Sequence, residues 1–210
     1  MLRRMPPRRS PGAADRRRDP ERARERLLDA AAEEFGAKGF AGARVRDIAA
    51  RAGLNQQLIS YYFGGKAGLY QALQRRWNAT SHDLARPGLP LEEVVVNFLQ
   101  AGLANRSWAR LLAWQGLADG GGGDDDAHSA DGRPGLMQWI VAEFRRRQAA
   151  GELAGDLEPA YVALALFAAV AAPAVLPHVA RELSGLDPDS EEFRRGYGEQ
   201  LARLVRHLKS

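Results

Sequence analysis

The chain has 210 residues, 45% of them hydrophobic and 27% charged, with a formal net charge of +4 and a pI ≈ 9.7. That length holds one small module and a larger body but not several independent cores, and the composition is that of an ordinary globular protein. Cysteine is absent, which excludes disulfides and thiolate metal sites and fits a reducing, cytoplasmic setting.

Residues 1–18 hold seven arginines against one acid, Asp15, so the basic charge is concentrated at the start of the chain. This arm is rich in Arg, Pro and Gly, lacks apolar periodicity and is expected to be disordered. It reads either as a DNA-contacting basic arm or as a solubilising leader. It runs into Pro6 and Pro7 rather than an apolar stretch, so no secretory signal is read.

Asp19 and Pro20 fit the cap and first position of a helix over 20–38, in which Leu27, Leu28, Ala31 and Phe35 recur at helical spacing and Lys38-Gly39 closes the pattern. A second helix is read over 45–52, stopped by Gly53. Asn55 is placed to cap a third helix that runs to about Phe63 with Leu58, Ile59 and Tyr62 inward. Two short helices joined by Ala52-Gly53-Leu54-Asn55 form a helix-turn-helix. A fourth helix starts near Lys66, carries Leu69, Tyr70, Leu73 and Trp77, and ends before Pro87.

Longer apolar helices follow at about 90–104, 107–118, 135–150, 158–179 and 188–208, with no competing strand pattern. The spacing therefore predicts an all-α chain. It has a basic arm (1–18), a three-helix module containing the helix-turn-helix (19–65) and a larger helical body (66–210). The body is interrupted by a flexible acidic loop at 119–134, built on Gly120–Gly123 and Asp124–Asp126. The triple aspartate lacks the ligand spacing of a calcium loop, so no metal and no cofactor is expected. Residues 159–180 mimic a membrane span in composition, but Pro173 and Pro177 interrupt them and a buried helix is the reading. The four histidines are scattered without a catalytic constellation, so the chain is not read as an enzyme.

At residues 20–73 the blocks Leu27-Leu28-Asp29-Ala30-Ala31 and Phe35, Gly39-Phe40, Val45-Arg46-Asp47-Ile48-Ala49, Ala52-Gly53-Leu54 and Tyr61-Tyr62-Phe63, then Lys66 and Leu69, stand in fixed order. In them the chain resembles the N-terminal domain of the TetR family. The resemblance implies a dimeric, one-component regulator that binds double-stranded operator DNA, most often a repressor released by a small-molecule inducer. The alternative is a DNA-binding regulator or architectural protein without an inducer.

Gln56 and Gln57, in the first turn of the third helix, are assigned to base edges, since a glutamine amide pairs bidentately with adenine. Ser60 departs from the tyrosine usual in the family and offers a small hydroxyl. Tyr61, Tyr62 and Lys66 match backbone-holding positions, although the Tyr62 ring suits packing against helix one equally well. Arg46 is placed at a base or phosphate. Arg44 stands where the family favours a capping Ser or Thr, and offers the backbone a cation instead.

In the body, the resemblance implies a ligand pocket, and Trp108, Trp114, Met137, Trp139, Phe144 and Phe167 are candidates to line a cavity for an apolar or aromatic ligand, with plain core packing the alternative for most of them. Two half-sites need two recognition helices, and the resemblance implies a four-helix bundle between subunits. Its candidates are Tyr161, Leu164 and Ala168 on one helix, and Phe193, Tyr197, Leu201, Leu204, Val205 and Leu208 on the last. The same stripes would also serve to close the chain's own core.

Overall fold

Helical periodicity is realised throughout the computed structural model, which describes the backbone of residues 13–86, 88–117 and 136–209 and the side chains of those from Pro20 onward. The helices are α1 (Ala13–Gly42), α2 (Val45–Ala52), α3 (Gln57–Phe63), α4 (Lys66–Leu84), α5 (Leu91–Ala104), α6 (Arg106–Leu117), α7 (Leu136–Ala149), α8 (Pro159–Val175), α9 (Pro177–Ser184) and α10 (Glu191–Arg206). No strand occurs among the described residues.

The extents of two helices differ from expectation. Helix α1 begins at Ala13, so residues 13–18 are helical in backbone rather than disordered; Ala13, Ala14 and the following arginines are good helix formers, and Pro20 lies within the run. The single helix expected over 158–179 is two, α8 and α9, bent by 94° at Leu176-Pro177. Proline fits the first position of the new helix, whereas Pro173 is absorbed near the end of α8. No single helix among the described residues is long and apolar enough to cross a membrane. The rest of the basic arm and the loop expected at 119–134 lie outside the described residues.

The buried side chains form two clusters. The first gathers Leu27, Ala31 and Phe35 of α1, Ile48 and Ala49 of α2, Ile59 of α3, Leu69 and Leu73 of α4, and also Trp108 and Leu111 of α6. The second joins α5, α7, α8 and α10 through Leu91, Leu99, Phe144, Ala163, Leu201 and Val205. Helix α6 binds one to the other by packing on α1 at a point of backbone contact. A Cβ on Gly36 would stand 2.5 Å from the carbonyl oxygen of Ser107 and 2.7 Å from its Cα, closer than any side chain fits. Three residues later α1 breaks at Gly39, whose φ of 68° and ψ of 173° suit glycine alone and are not the left-handed cap that the sequence suggests.

The body is pinned by Arg147 on α7, whose side chain is 1% exposed. Its Nε donates to Glu143 at 2.8 Å, and its two terminal nitrogens donate to Glu152 and to the Leu89 carbonyl, each at 2.8 Å. One guanidinium thus ties α7 to the turn after it and to the segment before α5. Removing it strands partly buried carboxylates and opens a cavity, so Arg147→Ala is expected to lower unfolding free energy by about 2 to 3 kcal/mol, read from urea midpoints.

Glu143 also accepts from Arg146 at 2.7 and 2.8 Å. The Arg146 hydrogen bonds, assisted by the Arg147 charge, hold its carboxyl below the ordinary value of 4.5. A depressed carboxyl contributes stability above its ordinary value and loses it as pH falls through the lower folded value. The stability gap between the native chain and Glu143→Gln should therefore be present at neutral pH and narrow below about pH 4.5, in urea titrations across that range.

Candidate nucleic-acid interface and internal cavity

The turn between α2 and α3 is fixed by backbone chemistry before any partner arrives. Gly53 takes the left-handed conformation (φ 62°, ψ 38°). Its N–H donates to the Ala50 carbonyl at 3.0 Å, and the Leu54 N–H donates to Ala49 at 2.9 Å. This is a Schellman closure, which satisfies the last carbonyls of α2. Arg26 of α1 donates to the Ala52 carbonyl at 2.5 Å, and its terminal nitrogen fills the space where a Cβ on Gly53 would lie, at 2.9 Å. On the other side Asn55 Oδ1 accepts the Gln57 N–H at 2.9 Å, capping α3 as its residue type suggests. The ion pair of Arg51 with Glu33 at 2.8 Å, and the buried carboxylate of Glu34 between Lys38 and Arg51, hold α2 to α1.

With that turn fixed, α3 separates its two faces. Ile59 is fully buried, and Leu58, Tyr62 and Phe63 pack against the first cluster. Gln57, Ser60 and Tyr61, at i, i+3 and i+4, are exposed together with Gln56, and Tyr61 is 79% exposed. Arg44 and Arg46 at the start of α2 are exposed as well. Arg44 caps α2 by backbone only, with no side-chain bond, while Arg46 Nε reaches Asp47 at 3.3 Å. The Tyr62 ring is half-buried beneath Arg24, whose guanidinium carbon stands 6.0 Å from the ring centroid. Lys66 is also half-buried: its Nζ donates to the Ala41 carbonyl at 3.3 Å and lies 4.6 Å from the Phe40 ring centroid. The expected site is therefore one exposed polar face (Gln56, Gln57, Ser60, Tyr61) with Arg44 and Arg46 beside it, backed by two partly packed residues, Tyr62 and Lys66.

In the body a partly open cavity of ≈ 100 Å³ lies where the two clusters meet, walled by side chains from α4 to α8. Trp108, Trp139, Phe144 and Phe167 line it. Trp114 and Met137 do not. Trp114 is 44% exposed, its ring set against Gly39 at 3.3 Å from where a Cβ would stand, and Met137 is 46% exposed in the first turn of α7. The wall also holds Trp77, Ala85, Leu91 and Phe98, which the periodicity marks only as helix interior, and the paired Glu143 and Arg147. An i, i+4 Glu-Arg pair on an otherwise apolar helix face is the one signal in the sequence that would have indicated that edge. No group of three or more metal-ligating side chains occurs among the described residues.

The dimer candidates divide in the same way. Tyr161, Leu164 and Ala168 lie on an exposed face of α8, the first two 75% and 64% exposed, and Leu204 of α10 is 63% exposed. Phe193, Leu201 and Val205 instead point into the chain's own body and are buried. Tyr197 is half-buried, its hydroxyl donating to the Ala169 carbonyl at 2.9 Å, and Leu208 packs on the same cluster. The apolar stripe of α10 is used up in closing the body against α5 and α8, because the second cluster has no other cover on that side.

Comparison with known proteins gives the family. The family model described as bacterial regulatory proteins, tetR family, matches residues 27–73. The chain is 32% identical over 191 residues to the HTH-type transcriptional repressor SCO4008 of Streptomyces coelicolor, covering 90% of this chain and 97% of that one. It is 31% identical over 145 residues to the regulator SrpR of Pseudomonas putida, covering 66% of this chain and 67% of that one. Among solved structures, SCO4942 of Streptomyces coelicolor superposes with a TM-score of 0.67 at 23% identity, over 89% of this chain and 98% of that one. The ketosteroid regulator KstR2 of Mycobacterium tuberculosis gives 0.62 at 18% identity, over 89% and 95%. These last two likenesses concern the fold.

Since Asn55 Oδ1 accepts the Gln57 N–H at the entry to α3, Asn55→Ala should cost about 1 kcal/mol of stability, measured by thermal unfolding.

Proposed function

The chain belongs to the TetR family of bacterial regulatory proteins and is a DNA-binding transcriptional regulator; from that premise we propose that it is a homodimeric, cytoplasmic repressor released from its operator by a small apolar or aromatic molecule. The repressing role follows the relative that matches along nearly its whole length, which is named a transcriptional repressor.

The observation that carries DNA recognition is the two-faced α3, with Ile59 fully buried and the polar residues of its first turn open to solvent. Gln56 and Gln57 read base edges, with adenine N6 and N7 the natural partners of a glutamine amide. Ser60 adds a hydroxyl able to pair with several bases. Tyr61, Arg44 and Arg46 reach phosphates or sugar from the rim. Tyr62 and Lys66 serve twice, bracing the corner of α1 and α4 while presenting a phenol and an ammonium to the backbone.

Operator affinity from so small a contact needs two copies held about 34 Å apart. The exposed row Tyr161, Leu164 and Ala168 on α8, with Leu204 of α10, is a surface available for that pairing, and the exposed Ala165 and Ala168 permit close approach of helices. The cavity supports release by a ligand. Its wall is almost wholly apolar and aromatic, and its two charged residues, Glu143 and Arg147, are already paired with each other, so an uncharged aromatic guest enters without leaving a charge unmatched. A ligand that favours the dimer with its recognition helices badly spaced weakens operator binding by the same factor that operator weakens it.

The test uses a duplex enriched by the protein itself from a random pool. Replacing Gln56, Gln57 and Lys66 together by alanine should weaken retention of that duplex by at least about a hundredfold in fluorescence anisotropy. The Gln56/Gln57 pair alone should mainly erase discrimination against random DNA. Retention within about threefold for the triple variant contradicts the assignment.

A further inference from the structure

The side chains around the cavity differ in how far they can yield. Leu91, Trp108, Phe144 and Ala163 of its wall are buried in the two clusters, so none of them retreats without displacing packed neighbours. The Trp108 ring also stacks on Trp77 of the same wall, with centroids 5.2 Å apart and planes at 27°. On α7 the Arg147 guanidinium fastens the wall to Glu152 and to the Leu89 carbonyl. On these sides the space has a fixed size.

That size is small. The cavity holds ≈ 100 Å³, less than an apolar cavity of about 150 Å³ that takes up one benzene. Because the space is partly open, a single six-membered ring seats in it with one edge toward the opening. A second fused ring requires a buried wall to move, which overpacks a core.

The charged edge of the wall offers no anchor to an ion. Glu143 Oε1 accepts from Arg146 and Arg147, and its Oε2 accepts from Arg146. Each of the three guanidinium nitrogens of Arg147 already donates to an acceptor. Counting Glu152, two carboxylates face two guanidiniums, so an ionised guest would lie against apolar walls without a counter-charge.

Trp139 of α7 stands apart from both clusters. It lines the cavity but is only half-buried, and its ring meets His82 of α4 edge-on, with centroids 4.9 Å apart and planes at 72°. An indole is itself a pair of fused rings. Removing this one therefore opens room for such a pair without cutting into either core.

We propose, on the basis of the ligand-controlled reading above, that the cavity selects a neutral guest built on one aromatic ring and that Trp139 sets the size limit.

The experiment measures uptake of toluene and of naphthalene by the full chain, from the loss of free hydrocarbon in headspace gas chromatography. The native chain should bind one toluene and hold naphthalene at least about tenfold more weakly, although the larger hydrocarbon leaves water more readily. In Trp139→Ala naphthalene should bind as tightly as toluene or more tightly. Benzoate and benzylammonium, each at the concentration of toluene, should leave toluene bound. Naphthalene held by the native chain as tightly as toluene, or toluene displaced by either ion, overturns the proposed selectivity and leaves ligand control standing. A native preference retained in Trp139→Ala overturns the role of Trp139. Uptake of toluene with no change in the dissociation constant for the enriched duplex removes ligand control, while the size-limited site stands. Uptake of neither hydrocarbon overturns both. Should Trp139→Ala fail to fold by circular dichroism, Trp139→Phe, which keeps one ring of the two, takes its place and should narrow the native preference to within about threefold.

Discussion

Gly36 has no side chain, and the backbone of Ser107 stands where one would be. Everything else in the molecule is arranged around this contact, because it makes α1 a wall shared by two parts of the chain. On one side of α1, Leu27, Ala31 and Phe35 supply the floor on which α2, α3 and α4 rest. On the other, α6 lies too close for sliding, so Trp108 and Leu111 enter the N-terminal core although they belong to a helix of the body. The small domain would bury little apolar surface alone, and α6 provides the missing cover. A rigid joint of this kind lets a short recognition helix hold its angle.

The seam that this joint creates also accounts for the cavity. Helices α5, α7 and α8 close against one another through their own cluster, while α4 and α6 are held by α1. Large aromatic rings span the gap between these two allegiances and leave ≈ 100 Å³ unfilled. Unfilled space between two packed units costs stability. Arg147, with Glu143, Glu152 and the Leu89 carbonyl as partners, fixes one wall of the cavity on the body side.

Legibility in the sequence followed the range of the physics. The turn between α2 and α3 was readable because a left-handed glycine and a capping asparagine act within four residues, and both do what their chemistry suggests. The heptad-like apolar positions of α1 were readable for the same reason. The break before α9 was not, because Pro173 and Pro177 are equal as helix breakers in isolation and only packing shows that the helix continues through the first and restarts at the second. On α10 the periodicity gave a stripe but not its partner: Phe193, Leu201 and Val205 turn inward, and only Leu204 of that group faces fully outward. Trp114 and Met137 likewise look like cavity residues by type, but their placement against Gly39 and in the exposed first turn of α7 depends on contacts distant in sequence. The Trp77–Trp108 stack links residues 31 apart and left no trace in local pattern.

The central claim is that a paired, rigidly seated α3 recognises two half-sites of one duplex. It is tested most directly by incubating the purified full chain with a random duplex pool, sequencing what it retains and determining the protein-to-DNA stoichiometry of the retained complexes. The account predicts an inverted repeat whose half-site centres lie one helical turn, about 34 Å, or a multiple of it apart, with an even number of chains on each duplex. Retained DNA without an inverted repeat, or a complex containing a single chain, would contradict it.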